Sequence, residues 1–280
     1  MKYGLVIDLG ATNLRVALVN SNHEIVEKVK CDTSKDVDIA FSIYTEYKKM
    51  NSKDEIEKVV VGVPGTIDFK NNIIRDLPNL NIKNYNLRDA LYKLFNVPII
   101  ICNDASLAAL GEYSLHKEEK IFQYITISSG IGGGLIYNGE LFEGSNGFEQ
   151  EIGRMSVKGN RFEDLCSGNA LKNRLLKENI DEEYPSAALM SNKENYKKVV
   201  NEWLDDLSIG ISNIIKIINP SMIVFGGGLG MHEEYFKKEL IDRLKKELPF
   251  DIVDDLKITK AQYKDDSALI GGSYLIFQDN

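Results

Sequence analysis

The sequence predicts an α/β protein built from two similar halves. Strand-like and helix-like stretches alternate along its 280 residues, which is typical of largely parallel sheets that bind ligands at strand ends. Two glycine-bearing hairpins, Gly10–Asn13 and Ser128–Gly133, each stand at the head of such an alternating region. We therefore expect an α/β fold of two lobes with a central cleft. The smaller N-terminal lobe would comprise residues 1–104 and 266–280, and the larger C-terminal lobe residues 105–265.

The first half opens with a β-hairpin. Its two strands are predicted over Gly4–Asp8 and Arg15–Val19, where apolar residues dominate. Turn signals and helical spacing then predict helices over 37–50, 87–95 and 105–113, and buried strands over 59–63 and 97–102.

The second half repeats this theme. Strands are predicted over 122–127 and 134–137, on either side of the second glycine-rich hairpin. A long helix follows, with apolar residues from Val200 to Ile218 on one face and Asn219-Pro220 at its end. The rest of the chain predicts strands over 222–225 and 256–261 and helices over 233–248 and 266–277.

Composition excludes several classes of protein. Hydrophobic residues make up 43% and charged residues 27% of the chain, as in globular proteins, and the net charge of -8 disfavours a nucleic-acid partner. The longest apolar runs, such as Val97–Cys102, are far too short to span a membrane. The N-terminus lacks a signal-peptide layout, and three widely spaced cysteines indicate no disulfide framework. We expect a cytoplasmic protein without a membrane or nucleic-acid partner.

The first stretch that could carry chemistry is Asp8-Leu9-Gly10-Ala11-Thr12-Asn13. A carboxylate at a strand end can hold a hydrated magnesium ion. The glycine that follows lets backbone amides approach an anion closely. The structural alternative is an ordinary hairpin turn in which Gly and Asn tolerate positive φ.

Two further glycine clusters suit a nucleotide. Ser128–Gly134 holds four glycines and two hydroxyls in seven residues, and with the first hairpin it suggests two jaws around a polyphosphate. Gly226-Gly227-Gly228 joins an apolar strand to a helix, a place where a nucleotide can lie close to backbone. A glycine-rich bulge or tight packing would explain either cluster equally well.

Acidic and amide side chains form the remaining candidates. Asn103-Asp104 ends a predicted buried strand, where a carboxylate suits proton removal from an attacking hydroxyl; the alternative is helix capping by Asp104. Glu149–Arg154, Glu163 and Ser167-Gly168 offer the paired donors and acceptors that sugar hydroxyls need. A solvated charged surface is the alternative for this second group.

Together these stretches resemble the ROK family (repressor, open reading frame, kinase), within the actin–hexokinase superfamily. The resemblance covers essentially the whole chain, in the right order, and implies a two-lobed actin-like, ribonuclease H-like ATPase fold. The residues that carry it are Asp8–Thr12, Gly62–Gly65, Pro78–Leu80, Asn103–Ala105, Ala108–Glu112, Ser129–Gly134 and Gly226–Gly228.

The resemblance implies transfer of the γ-phosphoryl group of ATP to a sugar hydroxyl, with Asp104 as the general base and Mg²⁺ held by Asp8 through water. It implies that ATP is bound by Asp8, Gly10, Thr12, Asn13, Ser129, Gly130, Gly132, Gly226, Gly227 and Gly228. It implies that the sugar is bound by Gly65, Asn79, Asn103, Asp104, Glu151, Arg154 and Glu163.

The chain departs from the family pattern in one region. The usual Glu-x-Gly-His reads Glu151-Ile152-Gly153-Arg154 here, and residues 155–162 contain no cysteine. Because a guanidinium stays protonated, Arg154 cannot ligate a metal, so we predict no structural zinc. Arg154 could instead donate hydrogen bonds to a sugar oxygen, or pair with Glu151 or Glu163.

The predicted function is an ATP-dependent kinase of a hexose or N-acetylhexosamine, glucokinase-like and acting at the 6-hydroxyl. One alternative is an N-acetylmannosamine kinase, because some family members resembling those kinases also lack the zinc loop. A second is a non-catalytic sugar-binding sensor, because the family contains repressors with an added N-terminal DNA-binding domain. The phosphate motif already begins at Asp8, which leaves no room for such a domain. The resemblance also implies a homodimer.

Overall fold

The computed structural model describes residues 1–10, 12–34, 37–52, 55–68, 73–77 and 82–278. The chain forms two compact units. Unit 1 comprises Met1–Leu115, Leu141–Glu149 and Asp265–Asn280, and unit 2 comprises His116–Glu140 and Gln150–Lys264. Helix 104–113 and segment 141–149 therefore group with the N-terminal sheet.

The strands are β1 Tyr3–Leu9, β2 Asn13–Asn20, β3 Ile25–Asp32, β4 Ile56–Val63, β5 Thr66–Asp68, β6 Ile73–Leu77, β7 Ile82–Tyr85, β8 Ile99–Asn103, β9 Ile121–Ile127, β10 Ile131–Tyr137, β11 Glu140–Leu141, β12 Ser156–Val157, β13 Asn160–Arg161, β14 Met222–Gly226 and β15 Lys257–Lys260. The α-helices are α1 Ile39–Lys48, α2 Leu87–Phe95, α3 Asp104–Tyr113, α4 Phe162–Cys166, α5 Gly168–Lys177, α6 Ser186–Met190, α7 Glu194–Ile218, α8 Gly227–Gly230, α9 Lys237–Glu247, α10 Phe250–Asp255 and α11 Ser267–Phe277. Short 3₁₀ helices cover Ile152–Arg154, Glu233–Tyr235 and Lys264–Asp266.

Each unit is built on a five-stranded sheet, and the two sheets repeat one arrangement. Unit 1 has the strand order β3-β2-β1-β4-β8, and the second sheet has the order β11-β10-β9-β14-β15. In both, an antiparallel hairpin leads into two parallel pairings on the other side of its first strand. The duplication predicted from the paired glycine hairpins is confirmed. The sheets are mixed rather than largely parallel, because each contains an antiparallel hairpin beside its parallel strands.

The burial of the strands follows from their composition. The central strands β1 and β4 carry continuous apolar runs and are buried along most of their length. Strand β3, at the edge, alternates between half-buried and exposed residues, as expected of a strand with one solvated face. The smaller sheet β5-β6-β7 is antiparallel throughout.

Helix α3 is fixed in unit 1 by close packing on α11. A β-carbon added to Gly111 would lie 2.1 Å from the backbone oxygen of Ser267, and one added to Gly271 would lie 1.8 Å from that of Leu107. Only glycine allows the two backbones to approach this closely. Since Asp104 is the first residue of α3, this packing fixes the position of its backbone.

In unit 2, helix α7 carries the apolar stripe predicted from sequence, and Trp203 is fully buried in it. Asn219 ends the helix in the left-handed conformation with φ 50°, immediately before Pro220. The helix predicted over 233–248 is interrupted: Phe236, with φ -125°, separates a 3₁₀ turn from α9. Its buried ring packs edge-on against Trp203 and Phe225, and this contact explains the break.

Several boundaries differ by one or more residues from the predicted ones, and those of β8 and β10 lie beside candidate site residues. Strand β8 begins at Ile99 rather than Val97, because Pro98 has no amide hydrogen for the sheet, and it extends to Asn103. Strand β10 begins at Ile131 rather than Gly134. Within the described ranges, every helix is too short or too polar to cross a lipid bilayer.

Candidate functional site

In unit 1, three neighbouring strands bring predicted residues to one end of the sheet. The register pairs Asp8 of β1 with Gly62 of β4, and Gly62 with Cys102 of β8. Because these strands are parallel, the residues that follow lie side by side at the carboxyl end, where α/β proteins bind ligands. These residues are Leu9, Gly10, Val63, Pro64, Gly65, Asn103 and Asp104.

Asp104 is a half-buried carboxylate at the first position of α3. The helix cap is Asn103 rather than Asp104: its Oδ1 accepts hydrogen bonds from the backbone amides of Ala105 (2.9 Å) and Ser106 (3.2 Å). Asp104 Oδ1 accepts a further bond from the Ala105 amide at 2.8 Å. The partial positive charge of a helix N-terminus favours the ionised carboxylate, the form that can accept a proton.

Two glycines shape the backbone around this carboxylate. A β-carbon on Gly62 would lie 2.9 Å from Leu107 Cδ1 and 3.4 Å from the Cα of Asp104. Gly65 has φ 115°, a conformation open to glycine and strained for other residues. Asn79, predicted to bind the sugar, lies outside the described residues.

Asp8 is buried and paired with an arginine that the sequence interpretation missed. Arg15 Nη1 donates to Asp8 Oδ2 at 2.7 Å, and Nη2 donates to Asp265 Oδ2 at 3.3 Å. Burial raises the pKa of Asp8, while Arg15 opposes this rise. Hairpin register could have revealed the pair, because residues equally far from the Gly10–Asn13 turn stand opposite each other.

The Gly10–Asn13 turn is tight and is hydrogen-bonded to Thr33, the residue that follows β3. The Gly10 amide donates to the Asn13 carbonyl at 2.8 Å, where a β-carbon on Gly10 would lie 2.9 Å from that oxygen. Thr33, also missed, donates its hydroxyl to the Gly10 carbonyl at 2.8 Å and its amide to the Thr12 carbonyl at 2.9 Å. Thr12 itself is exposed, so the turn presents it to solvent.

In unit 2, a second group of glycines lies at the carboxyl ends of β9 and β14. The register pairs Thr126 with Gly226. Gly227 has φ 76°, and a β-carbon there would lie 2.6 Å from Thr126 Oγ1. By contrast, a β-carbon on Gly228 would meet no atom within 4 Å. The backbone at Gly228 is thus open to a ligand.

The turn between β9 and β10 is shorter than predicted, because Ile131–Gly134 belong to β10 and Gly132 pairs with Thr126. Gly133 of this strand is closely packed, because a β-carbon there would lie 2.8 Å from Ile152 Cδ1. Ser129 and Gly130 form the turn itself. The amide of Gly168, the first residue of α5, donates to the Ser128 carbonyl at 2.6 Å.

Both predicted sugar-binding glutamates form ion pairs with arginines. Arg154 Nε donates to Glu151 Oε2 at 2.7 Å, and Arg161 Nη1 lies 3.6 Å from Glu163 Oε1. Of the two roles considered for Arg154, the structure shows the ion pair with Glu151. A β-carbon on Gly130 would lie 3.2 Å from Glu163 Oε2, so this carboxylate stands beside the second glycine turn.

A buried glutamine, Gln123, supports the residue that precedes Glu151. The sequence analysis did not identify this glutamine. Gln123 is fully buried in β9, and its Nε2 donates to Gln150 Oε1 at 2.8 Å and to the carbonyls of Tyr124 (2.9 Å) and Gly134 (3.2 Å). Gln150 has φ 55° and directly precedes Glu151. The available signal was a glutamine within the otherwise apolar strand 121–127.

The donor set fits magnesium but not zinc. In the part of the chain that the structure describes, no three His, Cys, Asp or Glu residues cluster as metal ligands. Mg²⁺ commonly uses one or two carboxylates together with water and phosphate oxygens, and Asp8 supplies one such carboxylate. Structural zinc sites use cysteine and histidine ligands, and residues 151–163 contain neither.

Comparisons with known proteins agree with this description. The ROK family profile matches residues 4–279. An uncharacterized protein of Clostridium perfringens is 30% identical over 98% of this chain and 97% of its own length. An N-acetylmannosamine kinase of Vibrio cholerae is 28% identical (96% and 98% covered), and a glucokinase of Halalkalibacterium halodurans is 25% identical (97% and 94%).

Solved structures share the fold at lower identity. A ROK hexokinase of Thermus thermophilus matches with a TM-score of 0.84 at 22% identity, covering 98% of both chains. A Streptomyces griseus glucokinase in complex with glucose and AMPPNP matches at 0.82 and 21%, covering 99% and 100%. A ROK family transcriptional regulator matches at 0.87 and 20%, covering 99% of this chain and 78% of the regulator. The predicted actin-like ATPase fold is confirmed. The chain belongs to the ROK family.

Proposed function

We propose that the protein is an ATP-dependent sugar kinase that phosphorylates a hexose or N-acetylhexosamine at its 6-hydroxyl. The observation that carries the proposal is the placement of Asp104 at the carboxyl end of the unit 1 sheet, on the same edge as Asp8. Family membership supports it, since relatives include a glucokinase and an N-acetylmannosamine kinase.

In the proposed reaction, Asp104 accepts the proton of the sugar hydroxyl as that oxygen attacks the γ-phosphorus of ATP. The bond between the γ-phosphorus and the bridging oxygen breaks, and ADP leaves. The N-terminus of α3 favours negative charge at Asp104, and the Ala105 amide donates to one of its oxygens at 2.8 Å. Such phosphoryl transfer needs positioning and charge stabilisation above all.

The remaining roles divide between the units. In unit 1, amides around Gly10 and Thr12 would bind phosphate oxygens, and Asn79 and Asn103 would bind sugar hydroxyls, with Gly65 shaping that pocket. In unit 2, Ser129, Gly130 and Gly132 would bind phosphates, Gly226–Gly228 would lie against the adenosine, and Glu151, Arg154 and Glu163 would bind the sugar. Asp8 would hold Mg²⁺ through water, and the ion would offset the phosphate charge.

Two alternatives to this general proposal follow from particular observations: a more specific kinase and a non-catalytic sensor. The absence of zinc ligands in residues 155–162 favours an N-acetylmannosamine kinase within the general class. Arg154, which stands where the family pattern has histidine, favours a sensor that binds sugar without turnover. A cytoplasmic location, a homodimer and the absence of a nucleic-acid partner stay predictions.

The test is ADP release with Mg-ATP across a panel of sugars. Glucose, N-acetylmannosamine, N-acetylglucosamine, mannose, fructose and allose should each be tried with the wild type and with Asp104→Asn. Loss of the base should lower kcat at least ~10²-fold on the preferred sugar. Asp89→Asn, which changes a carboxylate in the first turn of α2, is the matched control and should leave the rate unchanged. Sugar binding without turnover in the wild type would favour the sensor.

A further inference from the structure

A short segment of unit 2, Met155–Cys166, joins the Glu151–Arg154 turn to helix α5 and carries Glu163. In the sequence, this segment stands where the ROK family pattern has its zinc loop. Residues 155–162 nevertheless contain neither cysteine nor histidine. The cysteine that follows, Cys166, is fully buried, with its sulfur 3.9 Å from the Trp203 carbonyl oxygen. Something other than a metal therefore holds this segment in place.

The segment folds as a miniature hairpin. Strands β12 and β13 pair Ser156 with Arg161 and Val157 with Asn160. The turn residues Lys158 and Gly159 both have positive φ, 48° and 80°, as in the two-residue turns that suit hairpins. Lysine is uncommon in this conformation, and here the turn requires it.

The side chain of Lys158 makes an ionic contact with helix α7. Lys158 Nζ lies 2.7 Å from Asp206 Oδ1, and Arg174 of α5 binds the other oxygen of the same carboxylate. Asp206 is only 5% exposed. A buried carboxylate needs such partners, because removing one leaves its charge poorly compensated.

Two further contacts fix the segment to the same helix. Trp203 Nε1 donates to the Cys166 carbonyl at 2.8 Å. The ring of Phe162 packs on Gly210, where a β-carbon would lie 2.2 Å from Phe162 Cε2. Positions 203, 206 and 210 are three and four residues apart, so they form one face of α7. We call Trp203, Asp206 and Gly210 the docking face.

The hairpin is continuous with the candidate sugar-binding residues on both sides. Arg154 immediately precedes it, and Glu163 immediately follows Phe162. The Phe162 amide donates to the Met155 carbonyl at 2.8 Å and closes the base of the hairpin. A β-carbon on Gly153 would lie 3.4 Å from Glu163 Cβ, so the two flanks of the hairpin are in contact with each other.

We propose that Lys158 is a positioning residue, which anchors this hairpin to the docking face of α7 through Asp206 and thereby orients Glu151, Arg154 and Glu163 toward the sugar without a metal. The sugar-binding part of this inference rests on the proposed function. Lys158 itself touches neither the sugar nor ATP in the proposal, so its effect should appear in sugar affinity and not in the chemical step.

The kinetic test compares three variants on the preferred sugar. Lys158→Ala should raise the KM for sugar about 10-fold, while the KM for ATP and kcat stay within about 2-fold of wild type. Lys158→Arg, which keeps a cation, should restore most of the loss. Lys198→Ala is the matched control. It removes from helix α7 an exposed lysine that pairs with Glu178, and it should leave kcat and both KM values unchanged. An unchanged sugar KM in Lys158→Ala would overturn the proposal.

A second measurement does not depend on turnover. Amide hydrogen exchange of the full chain without ligands should become faster in peptides covering 155–163 of Lys158→Ala, and not in Lys198→Ala. Dialysis of the wild type against 1,10-phenanthroline should leave its thermal midpoint unchanged; a fall would overturn the metal-free anchoring. If the wild type phosphorylates no sugar, the kinase proposal fails, while these two measurements still decide whether Lys158 anchors the segment.

Discussion

Arg15 Nη1 lies 2.7 Å from Asp8 Oδ2, and the β1–β2 hairpin makes this pair by placing the two residues directly opposite each other. The arginine also reaches Asp265, at the start of the segment leading into α11. Asp8 is buried, so without a cation beside it the carboxyl group would favour its neutral form. The Asp8–Asn13 stretch therefore depends on a residue outside it.

This pair predicts the effect of removing the guanidinium. In Arg15→Met, burial of Asp8 is no longer opposed, so the pKa of Asp8 should rise further and its carboxylate should attract Mg²⁺ less well. We expect the Mg²⁺ concentration for half-maximal activity to increase ~10-fold or more, with the KM for sugar little changed. Steady-state rates measured against Mg²⁺ at fixed ATP provide the readout.

Lys28→Met is the control for this effect. It removes a neighbouring ion pair, Lys28 with Asp266, from the adjacent strand β3 without touching Asp8. Its Mg²⁺ dependence should match that of the wild type. Equal shifts in the two variants would mean that general surface charge, and not the contact with Asp8, controls the response.

Asn103 allows structural and binding roles to be separated, because its two side-chain atoms have different tasks. Oδ1 caps α3 by accepting from Ala105 and Ser106. If Asn103 binds sugar as proposed, we expect its amide nitrogen to make that contact. Asn103→Ser keeps a capping oxygen and should retain stability, yet its KM for sugar should rise ~10-fold. Asn103→Ala should show the same KM and also lose ~1 kcal/mol of unfolding free energy, measured by urea titration. A normal KM in Asn103→Ser would limit this residue to capping.

Where local chemistry decides a structure, the sequence was sufficient. Helix α2 was predicted at Leu87–Phe95 and has those bounds. The reason is local: Asn86 caps its first turn by accepting from the Asp89 amide, and Asn96 ends it at φ 55°. Asn219 ends α7 in the same way.

Contacts between distant parts of the chain could not be read from the sequence. Gly111 and Gly271 are far apart in the chain, and neither lies in a turn, yet both are required where α3 packs on α11. Gly132 and Gly133 were assigned to the turn of the second hairpin on composition alone. They lie in strand β10, where Ile152, which comes later in the chain, packs against Gly133.

In the candidate site, too, local motifs could be predicted and contacts between distant residues could not. Its motifs were found as strings of adjacent residues, such as Asp8–Asn13 or Asn103-Asp104. The residues that support those motifs, Arg15, Thr33 and Gln123, make their contacts through sheet pairing or strand-to-loop hydrogen bonds. Hairpin register could have revealed the partner of Arg15, but the partners of Thr33 and Gln123 depend on which segments become neighbours in the fold.

An ion pair between a buried carboxylate, Glu119, and an exposed lysine, Lys257, makes the stability of unit 2 depend on pH. Glu119 is 5% exposed and accepts from Lys257 Nζ at 2.5 Å. Burial alone would raise the pKa of Glu119, but hydrogen bonds from Lys257 and Ser221 outweigh burial and lower it below its ordinary value of 4.5. A lowered carboxyl pKa stabilises the fold above the unfolded value and loses that effect as the pH falls through the folded value. Glu119→Gln should therefore lower the urea midpoint at neutral pH, and its difference from the wild type should shrink below pH 4.5.

The control for this pH effect is an exposed ion pair in the same unit. Glu247 lies 3.5 Å from Lys216 with both side chains largely solvated, so Glu247→Gln should change the urea midpoint little at any pH. Lys257→Met should reproduce the loss at neutral pH, because it leaves the Glu119 carboxylate buried without its cation. If the midpoints of Glu119→Gln and the wild type fell in parallel with pH, Glu119 could not be the group whose protonation weakens the fold, and the acid sensitivity would have to arise from other carboxylates.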